Sequence, residues 1–282
     1  MTISFAKGHG TGNDFIIVPD DDATLVLTAE QVRALTNRRM GLGADGVLRV
    51  VPTERAAEAE IRAQAPLAAW FMDYRNADGS LAEMCGNGAR VFAHYLRSTG
   101  RITDDDFVIA TRGGARRIRV NEDGQYSVSM GESAPIDAVG GITVQVGERT
   151  WSAAGVSLPN PHAVAFVERL SDAGALVESP TITPASAYPE GANVEFVHLE
   201  GPNHISMRVF ERGVGETLSC GTGACAAAWA ARRLMTTTGT TEFRVDVPGG
   251  TLLVTENAAG EMTLTGPAVI VGSGVLDPDF WQ

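Results

Sequence analysis

The chain has 282 residues, 44% hydrophobic and 20% charged, enough for two domains of ordinary size or one large one. Its net charge of −12 argues against a nucleic-acid partner, because phosphate recognition needs clustered Lys and Arg. Lys7 is the only lysine, so a pyridoxal-phosphate Schiff base has one candidate residue and no other.

The first ten residues carry no apolar stretch of signal-peptide length, and the longest small-apolar run, 224–231, is too short to span a bilayer. Three cysteines without an export signal point to a reducing cytoplasm. Along the chain, β-branched and aromatic residues alternate or cluster at 14–18, 46–51, 69–74, 107–110, 118–120 and 126–130, and each run predicts a strand. Thr28, Ala29, Glu30 and Gln31 form a capping box that opens a helix over 32–37. The Ala/Glu/Arg stretch 54–65 reads as a peripheral helix or an insertion. Arg112, Arg116, Arg117 and Arg119 read as a solvated strand face. Residues 132–141, with Pro135, Gly140 and Gly141, read as a linker. Strand runs resume at 163–167, 193–198 and 205–210. The segments 243–247 and 251–255, joined by Pro248, Gly249 and Gly250, form a hairpin pattern.

Two further helices are expected at 88–98 and 223–234, both apolar on more than one side and therefore buried. Each follows a similar string: Met-Cys-Gly-Asn-Gly-Ala at 84–89 and Ser-Cys-Gly-Thr-Gly-Ala at 219–224. Asn76 precedes Cys85 by nine residues and Glu211 precedes Cys220 by nine, and an asparagine stands before a strand in each half, at Asn13 and Asn160. The repetition predicts an α+β fold of two pseudo-symmetric domains. Each is a curled, mainly antiparallel, barrel-like β-sheet around a central helix, with the active site in the cleft between them.

A cysteine at a helix N-terminus sits where the dipole and unpaired N–H groups favour thiolate. Two such thiols converging on one ligand would form an acid/base pair. A thiol of pKa about 8.5 is only about 3% ionised at neutral pH, and a dipole contribution of roughly 0.3–1 kcal/mol shifts it by less than one unit. Neighbours must supply the rest, and His162 and Glu211 are the candidates. The amides of Gly86, Asn87, Gly221 and Thr222 could hold a carboxylate. Cys225, inside the Ala-rich helix, reads as a small core residue, and His94 as a core histidine. No metal site is expected: the cysteines lack C-x₂-C spacing and the five histidines are scattered. The Gly-Leu-Gly-Ala-Asp-Gly string at 41–46 lacks dinucleotide spacing and precedes a strand.

Other distinctive strings follow in order: Phe-Ala-Lys-Gly-His-Gly-Thr-Gly-Asn-Asp-Phe at 5–15, Tyr-Arg-Asn-Ala-Asp-Gly-Ser at 74–80, Asn-Pro-His at 160–162, Gly-Ala-Asn-Val at 191–194 and Glu-Arg-Gly-Val-Gly-Glu at 211–216. With the two cysteine strings and Pro-Gly-Gly at 248–250, they make the chain resemble the diaminopimelate epimerases over nearly its whole length. These are cofactor-independent amino-acid epimerases of lysine and peptidoglycan-precursor synthesis. The resemblance implies that Cys85 and Cys220 are the catalytic acid/base pair, on opposite faces of the substrate α-carbon. It also implies that the amides of Gly86, Asn87, Gly221 and Thr222 hold the reacting carboxylate, and that Asn13 and Glu211 hold its ammonium. Arg212, with Asn76, Asn160 and Asn193, would read the distal carboxylate and its L-configured centre. His162 and Glu211 would tune the thiols.

By the same resemblance the substrate is a small amino acid, no cofactor or metal is needed, and the protein is a cytoplasmic homodimer. The domains would span 1–132 and 133–266, with a last strand in 267–282 returning to the first. Some family members carry glutamine at the position of Gly46, so one polar substrate contact is missing or replaced here. Two thiols sharing one carbon could also form a disulfide on oxidation. Rival readings are a proline or hydroxyproline racemase, which has no distal amino-acid group to read, a cysteine hydrolase using Cys220 and His162, and a binding protein that never exchanges the α-proton.

Overall fold

The alternating runs become strands in the computed structural model, which describes residues 3–158, 160–236 and 238–281. The chain divides into two compact units, one ending at Val128 and regaining the residues from Gly266 onward, the other running Ser129–Thr265. The first contains β1 (Ser4–Gly10), β2 (Asn13–Pro19), α1 (Ala29–Thr36), β3 (Gly46–Pro52), α2 (Ala59–Arg62), β4 (Trp70–Asn76), α3 (Gly86–Ser98), β5 (Asp106–Ala110), β6 (Arg116–Val120) and the start of β7 (Tyr126–Glu132). The second contains β8 (Ala134–Ile136), β9 (Ile142–Val146), β10 (Arg149–Leu158), β11 (Asn160–Phe166), β12 (Thr181–Thr183), β13 (Asn193–Gly201), β14 (His204–Glu211), β15 (Gly215–Thr217), α4 (Gly221–Leu234), β16 (Thr241–Val247), β17 (Gly250–Glu256) and β18 (Glu261–Gly266). The last strand, β19 (Val269–Val275), pairs antiparallel with β1.

The pseudo-symmetry is visible strand by strand. From β1 through β2, β3, β4, β5, β6 and β7, successive pairings are antiparallel, parallel, antiparallel, parallel, antiparallel and antiparallel. From β10 through β11, β13, β14, β16, β17 and β18 the same series repeats. Each unit places its long helix between the fourth and fifth strands of that series.

Both helices are wrapped by their sheets. In α3 ten of thirteen residues are buried, and it packs on β1, β2, β3, β4 and β19. In α4 eleven of fourteen are buried, against β10, β11, β13, β14, β16 and β17. A helix buried on nearly every side has little solvent face to present, and the Ala-rich α4 shows no clean amphipathic stripe, whereas the polar stripe of α3, Asn87, Arg90, His94 and Arg97, is partly drawn into the interior. Alanines at 224, 226, 227, 228, 230 and 231 let the strands close around α4. In the first unit β2 is buried on both faces: Ile16 and Val18 pack with Val32 and Leu35 of α1, while Phe15 lies beside Gly88 of α3. The capping box at Thr28 forms as expected, with Gln31 N donating to Thr28 Oγ1 at 3.2 Å and Thr28 N to Gln31 Oε1 at 3.0 Å.

Three local expectations are corrected. Residues 54–65 form no single helix: a 3₁₀ turn (Thr53–Arg55) and the four-residue α2 are split by extended backbone at Ala56 and Glu58. Glu58 is drawn off to Arg112, whose Nη2 lies 2.7 Å from its carboxylate. Arg112 is therefore not on a solvated face. It is bound between Glu58 and the buried Asp73, and Arg116 is also largely covered, leaving Arg117 and Arg119 exposed beside Asp106. Within 132–141 the chain is not a plain linker, because Ala134–Ile136 pairs antiparallel with β10.

Candidate active site

Cys85 and Cys220 occupy the same structural position. Each is the N-cap of its helix, with extended backbone (φ −140° and ψ 119°, φ −121° and ψ 118°), and each sulfur accepts the backbone N–H three residues on. Gly88 N lies 3.3 Å from Cys85 Sγ, and Gly223 N lies 3.4 Å from Cys220 Sγ. Sulfur here does what a Ser or Asp oxygen does at an ordinary cap, and the donor and the helix dipole both favour its anion. Glycine at the third helical position keeps that approach open. A Cβ at Gly223 would fall 3.2 Å from Cys220 Cβ and 2.7 Å from Glu195 Oε1.

In the first unit Cys85 is half-buried and its Sγ stands 3.6 Å from Asn13 Oδ1, which also accepts from Asn87 Nδ2 at 3.3 Å. Asn13 is oriented from its other end, where Nδ2 donates to Asp45 Oδ2 at 2.7 Å. Asp45 in turn accepts from Asp14 N and Arg38, and Arg38 spans both aspartates. Lys7, the only lysine, binds Asp14 and the Gly43 carbonyl, so it is part of this scaffold. Burial raises Asp14, but hydrogen bonds from Arg38 and Lys7 win and lower its pKa to about 2. Arg90, fully buried in α3, donates to Asn87 Oδ1 at 2.8 Å, Gly86 O at 3.3 Å and Pro267 O at 3.2 Å, tying the helix start to the returning chain.

In the second unit Cys220 is 6% exposed. Burial and the Glu211 and Glu195 carboxylates push its thiol well above the ordinary range, opposed by hydrogen bonds from Thr222 and Gly223 N. Thr222 Oγ1 lies 3.5 Å from Cys220 Sγ and accepts from Asn160 Nδ2 at 3.2 Å. Asn160 Oδ1 meets His162 Nε2 at 3.0 Å, and His162 Nδ1 meets Glu195 Oε1 at 2.7 Å. His162 and Glu195 are both fully buried. Glu211 closes β14 and accepts from Thr217 Oγ1.

Register brings most of the expected residues to one end of each sheet. Phe15 pairs with Gly46 and Gly46 with Asn76, so Asn76 stands two strands from the start of β2, its amide turned to Ser80 Oγ. His162 pairs with Asn193, whose Oδ1 accepts Arg212 N at 2.9 Å. Arg212 is the outlier. Its guanidinium reaches the Glu190 carbonyl, and it lines a cavity of about 430 Å³ with Tyr188, Gly191 and Phe210 that Cys220, Thr222 and Asn160 do not border. At Gly46 a Cβ would sit 2.6 Å from Arg75 O and 2.7 Å from the Tyr74 ring, so this backbone leaves no room for the family's glutamine.

Three residues were not singled out from sequence: Glu195, Asp45 and Arg90. The signal existed for two of them. Glu195 is a carboxylate in an otherwise apolar run, and Arg90 is a cation in an apolar helix; in each case the charge interrupts a core pattern. Cys225 is buried in α4 as expected, whereas His94 bonds Tyr126 Oη at 2.9 Å but is only half-buried and not a core residue. Among the described residues no cluster of three or more His, Cys, Asp or Glu is placed to hold a metal, and no helix is long and apolar enough to cross a membrane.

The diaminopimelate epimerase family pattern matches residues 5–135 and 155–271. A curated diaminopimelate epimerase of Streptomyces coelicolor is 54% identical over 280 residues, covering 98% of this chain and 96% of that protein. Among solved structures, a predicted epimerase of Pseudomonas aeruginosa aligns with a TM-score of 0.68 at 14% identity, covering 97% of this chain and 99% of that one. A hydroxyproline epimerase of Agrobacterium vitis, with bound trans-4-hydroxy-L-proline, aligns at 0.64 and 14%, covering 99% and 93%. These structural likenesses extend to the fold alone.

Proposed function

Because the chain belongs to the diaminopimelate epimerase family, we propose that it interconverts LL- and meso-2,6-diaminopimelate by two-base proton transfer between Cys85 and Cys220. One thiolate takes the α-proton, the other thiol returns a proton to the opposite face, and the roles exchange in the reverse direction. The observation that carries this reading is the matched pair of cysteine N-caps, each sulfur held on a helix N-terminus by its own N–H donor. In this reading both helix starts bind one carboxylate and offset the charge that grows at the α-carbon as its proton leaves. The amides of Gly86, Asn87, Gly221 and Thr222 are the donors for that carboxylate.

Asn13 and Glu211 receive the reacting ammonium in this reading. Asn76, Asn160, Asn193 and Arg212 select the distal amino-acid group, with Arg212 turning from the Glu190 carbonyl to do so. His162 and Glu211 set the acidity of the thiols. A cytoplasmic homodimer without cofactor is part of the same proposal, and light scattering of the purified protein tests its oligomeric state. A fold shared with a hydroxyproline epimerase carries no substrate preference, and 54% identity to a diaminopimelate epimerase favours the longer substrate over the racemase alternative.

The test is solvent exchange. LL-diaminopimelate incubated in deuterated water should gain deuterium at one α-carbon and convert to the meso isomer without added cofactor. Cys85→Ala and Cys220→Ala should each abolish conversion, while Cys225→Ala should leave it largely intact. Activity retained in Cys85→Ala would instead mark a single-thiol enzyme.

A further inference from the structure

The second unit contains a hydrogen-bond series whose direction can be read from its chemistry. Asn160 Nδ2 donates to Thr222 Oγ1, which fixes that amide with Oδ1 toward His162. An amide oxygen only accepts, so His162 Nε2 carries a hydrogen. At the other end of the ring, Nδ1 and Glu195 Oε1 are 2.7 Å apart and share one proton, whichever of them holds it. Because Thr222 Oγ1 already accepts from Asn160, its own hydrogen is available to Cys220 Sγ at 3.5 Å. The second carboxylate oxygen, Glu195 Oε2, is buried with no hydrogen-bond partner among the described residues, so Oε1 is the oxygen that engages the ring.

We propose that Glu195 is a positioning residue: by anchoring the His162 ring at Nδ1 it holds Asn160 and Thr222 so that the Thr222 hydroxyl donates to Cys220 Sγ. The inference rests on the two-thiol reading for its catalytic meaning but on geometry alone for its existence. Remove the Glu195 carboxyl and Nδ1 loses the partner that holds the ring, so Nε2 is no longer kept against Asn160 Oδ1. The Asn160 amide can then turn, present Oδ1 to Thr222, and draw the hydroxyl hydrogen away from sulfur. The thiolate would lose one of its two donors and keep only Gly223 N–H. Glu195 also carries charge that opposes the Cys220 anion, so its hydrogen bond is read by comparing Glu195→Leu with Glu195→Gln, both of which are uncharged.

The charged groups around Cys220 are Glu195 on β13, Glu211 on β14 and His162 on β11. Of the other strands on α4, β10 carries Arg149, paired with Asp172; β16 carries Glu242, Arg244 and Asp246; and β17 carries Glu256, paired with Arg232 and Arg233.

In full-length Cys85→Ala/Cys225→Ala protein Cys220 is the only thiol, and its ionisation can be followed by thiolate ultraviolet absorbance against pH. Thr222→Val should raise the midpoint by about one pKa unit, the equivalent of one hydrogen bond to a charged group. Glu195→Gln removes the same charge as Glu195→Leu but keeps a hydrogen bond to Nδ1, so Glu195→Leu should titrate about one unit above it, and the gap should close once Thr222→Val is present. Asn160→Ala, at a part-exposed site outside the core, tests the middle of the series should Glu195→Leu fail to fold, and it too should be silent once Thr222→Val is present. A Thr222→Val midpoint that falls or stays put, no gap between Glu195→Leu and Glu195→Gln, or a gap that survives Thr222→Val, overturns the proposal. No substrate enters this titration, so failure of α-proton exchange with these shifts intact would strike the functional reading alone.

Discussion

Replacing Asp14 by Asn removes one carboxylate from the scaffold that orients Asn13. Asp14 is held at about 2 against an ordinary 3.8, because Arg38 and Lys7 outweigh the burial that raises it. Its folded value lies below its unfolded one, so its stabilisation is fully present above the unfolded value and is lost as pH falls through the folded value. The gap of nearly two units corresponds to about 2 kcal/mol at neutral pH. At about pH 3 the unfolded chain is already mostly protonated at this site while the folded one is not, and only about 1 kcal/mol remains. Equilibrium urea unfolding of the wild-type and Asp14→Asn proteins at both pH values measures the difference. Asp14→Asn should be less stable by about 2 kcal/mol at neutral pH, and the deficit should shrink by about half in acid. A deficit independent of pH would show that the Lys7–Asp14–Arg38 group is not what stabilises this corner.

Two glycines distinguish contact from conformation. Gly223→Ala should lower turnover at least tenfold, because its Cβ meets Glu195 Oε1 at 2.7 Å and crowds Cys220, and the carboxylate is pinned by His162. The equivalent Gly88→Ala meets Cys85 Cβ, Leu48 and Phe15 only at 3.4 Å and should be the milder change in the same assay. Restoring the family glutamine with Gly46→Gln should lower the melting temperature and bring no gain in activity, since Arg75 O and the Tyr74 ring occupy its path. A stable and faster Gly46→Gln enzyme would refute that steric account.

The parts of this molecule that follow from local patterning were open to reading in the sequence. The strand runs, the capping box at Thr28 and the two buried helices depend on residues a few positions apart, and all appear. What stayed hidden depends on partners distant in sequence. The run 54–65 has helical composition, yet Arg112, more than fifty residues on, holds Glu58 in extended backbone. The short edge strands β8, β12 and β15 carry three residues each, too few for alternation to register. At the site, the cysteine strings identified themselves by repetition. Asp45 did not, because its role is to hold Nδ2 of Asn13, thirty-two residues before it.

The two caps share a geometry but not a protonation bias. Cys85 Sγ accepts Gly88 N–H and also faces an amide oxygen, Asn13 Oδ1, whose nitrogen end is fixed on Asp45, an acceptor that engages the thiol and not its anion. Cys220 Sγ faces donors instead, Gly223 N–H and the Thr222 hydroxyl, yet burial with Glu211 and Glu195 nearby works against its anion. In the proposed complex, an ammonium set against Glu211 neutralises that opposing charge, while the donors on sulfur are unchanged. Ionisation of Cys220 is then coupled to occupancy: the same cation that identifies the substrate releases the thiol to act as base. A thiol that stays protonated until that moment is also a poor target for oxidants, which attack the thiolate. In the proposed complex the carboxylates around Cys220 would oppose the helix terminus only until the substrate's ammonium is in place.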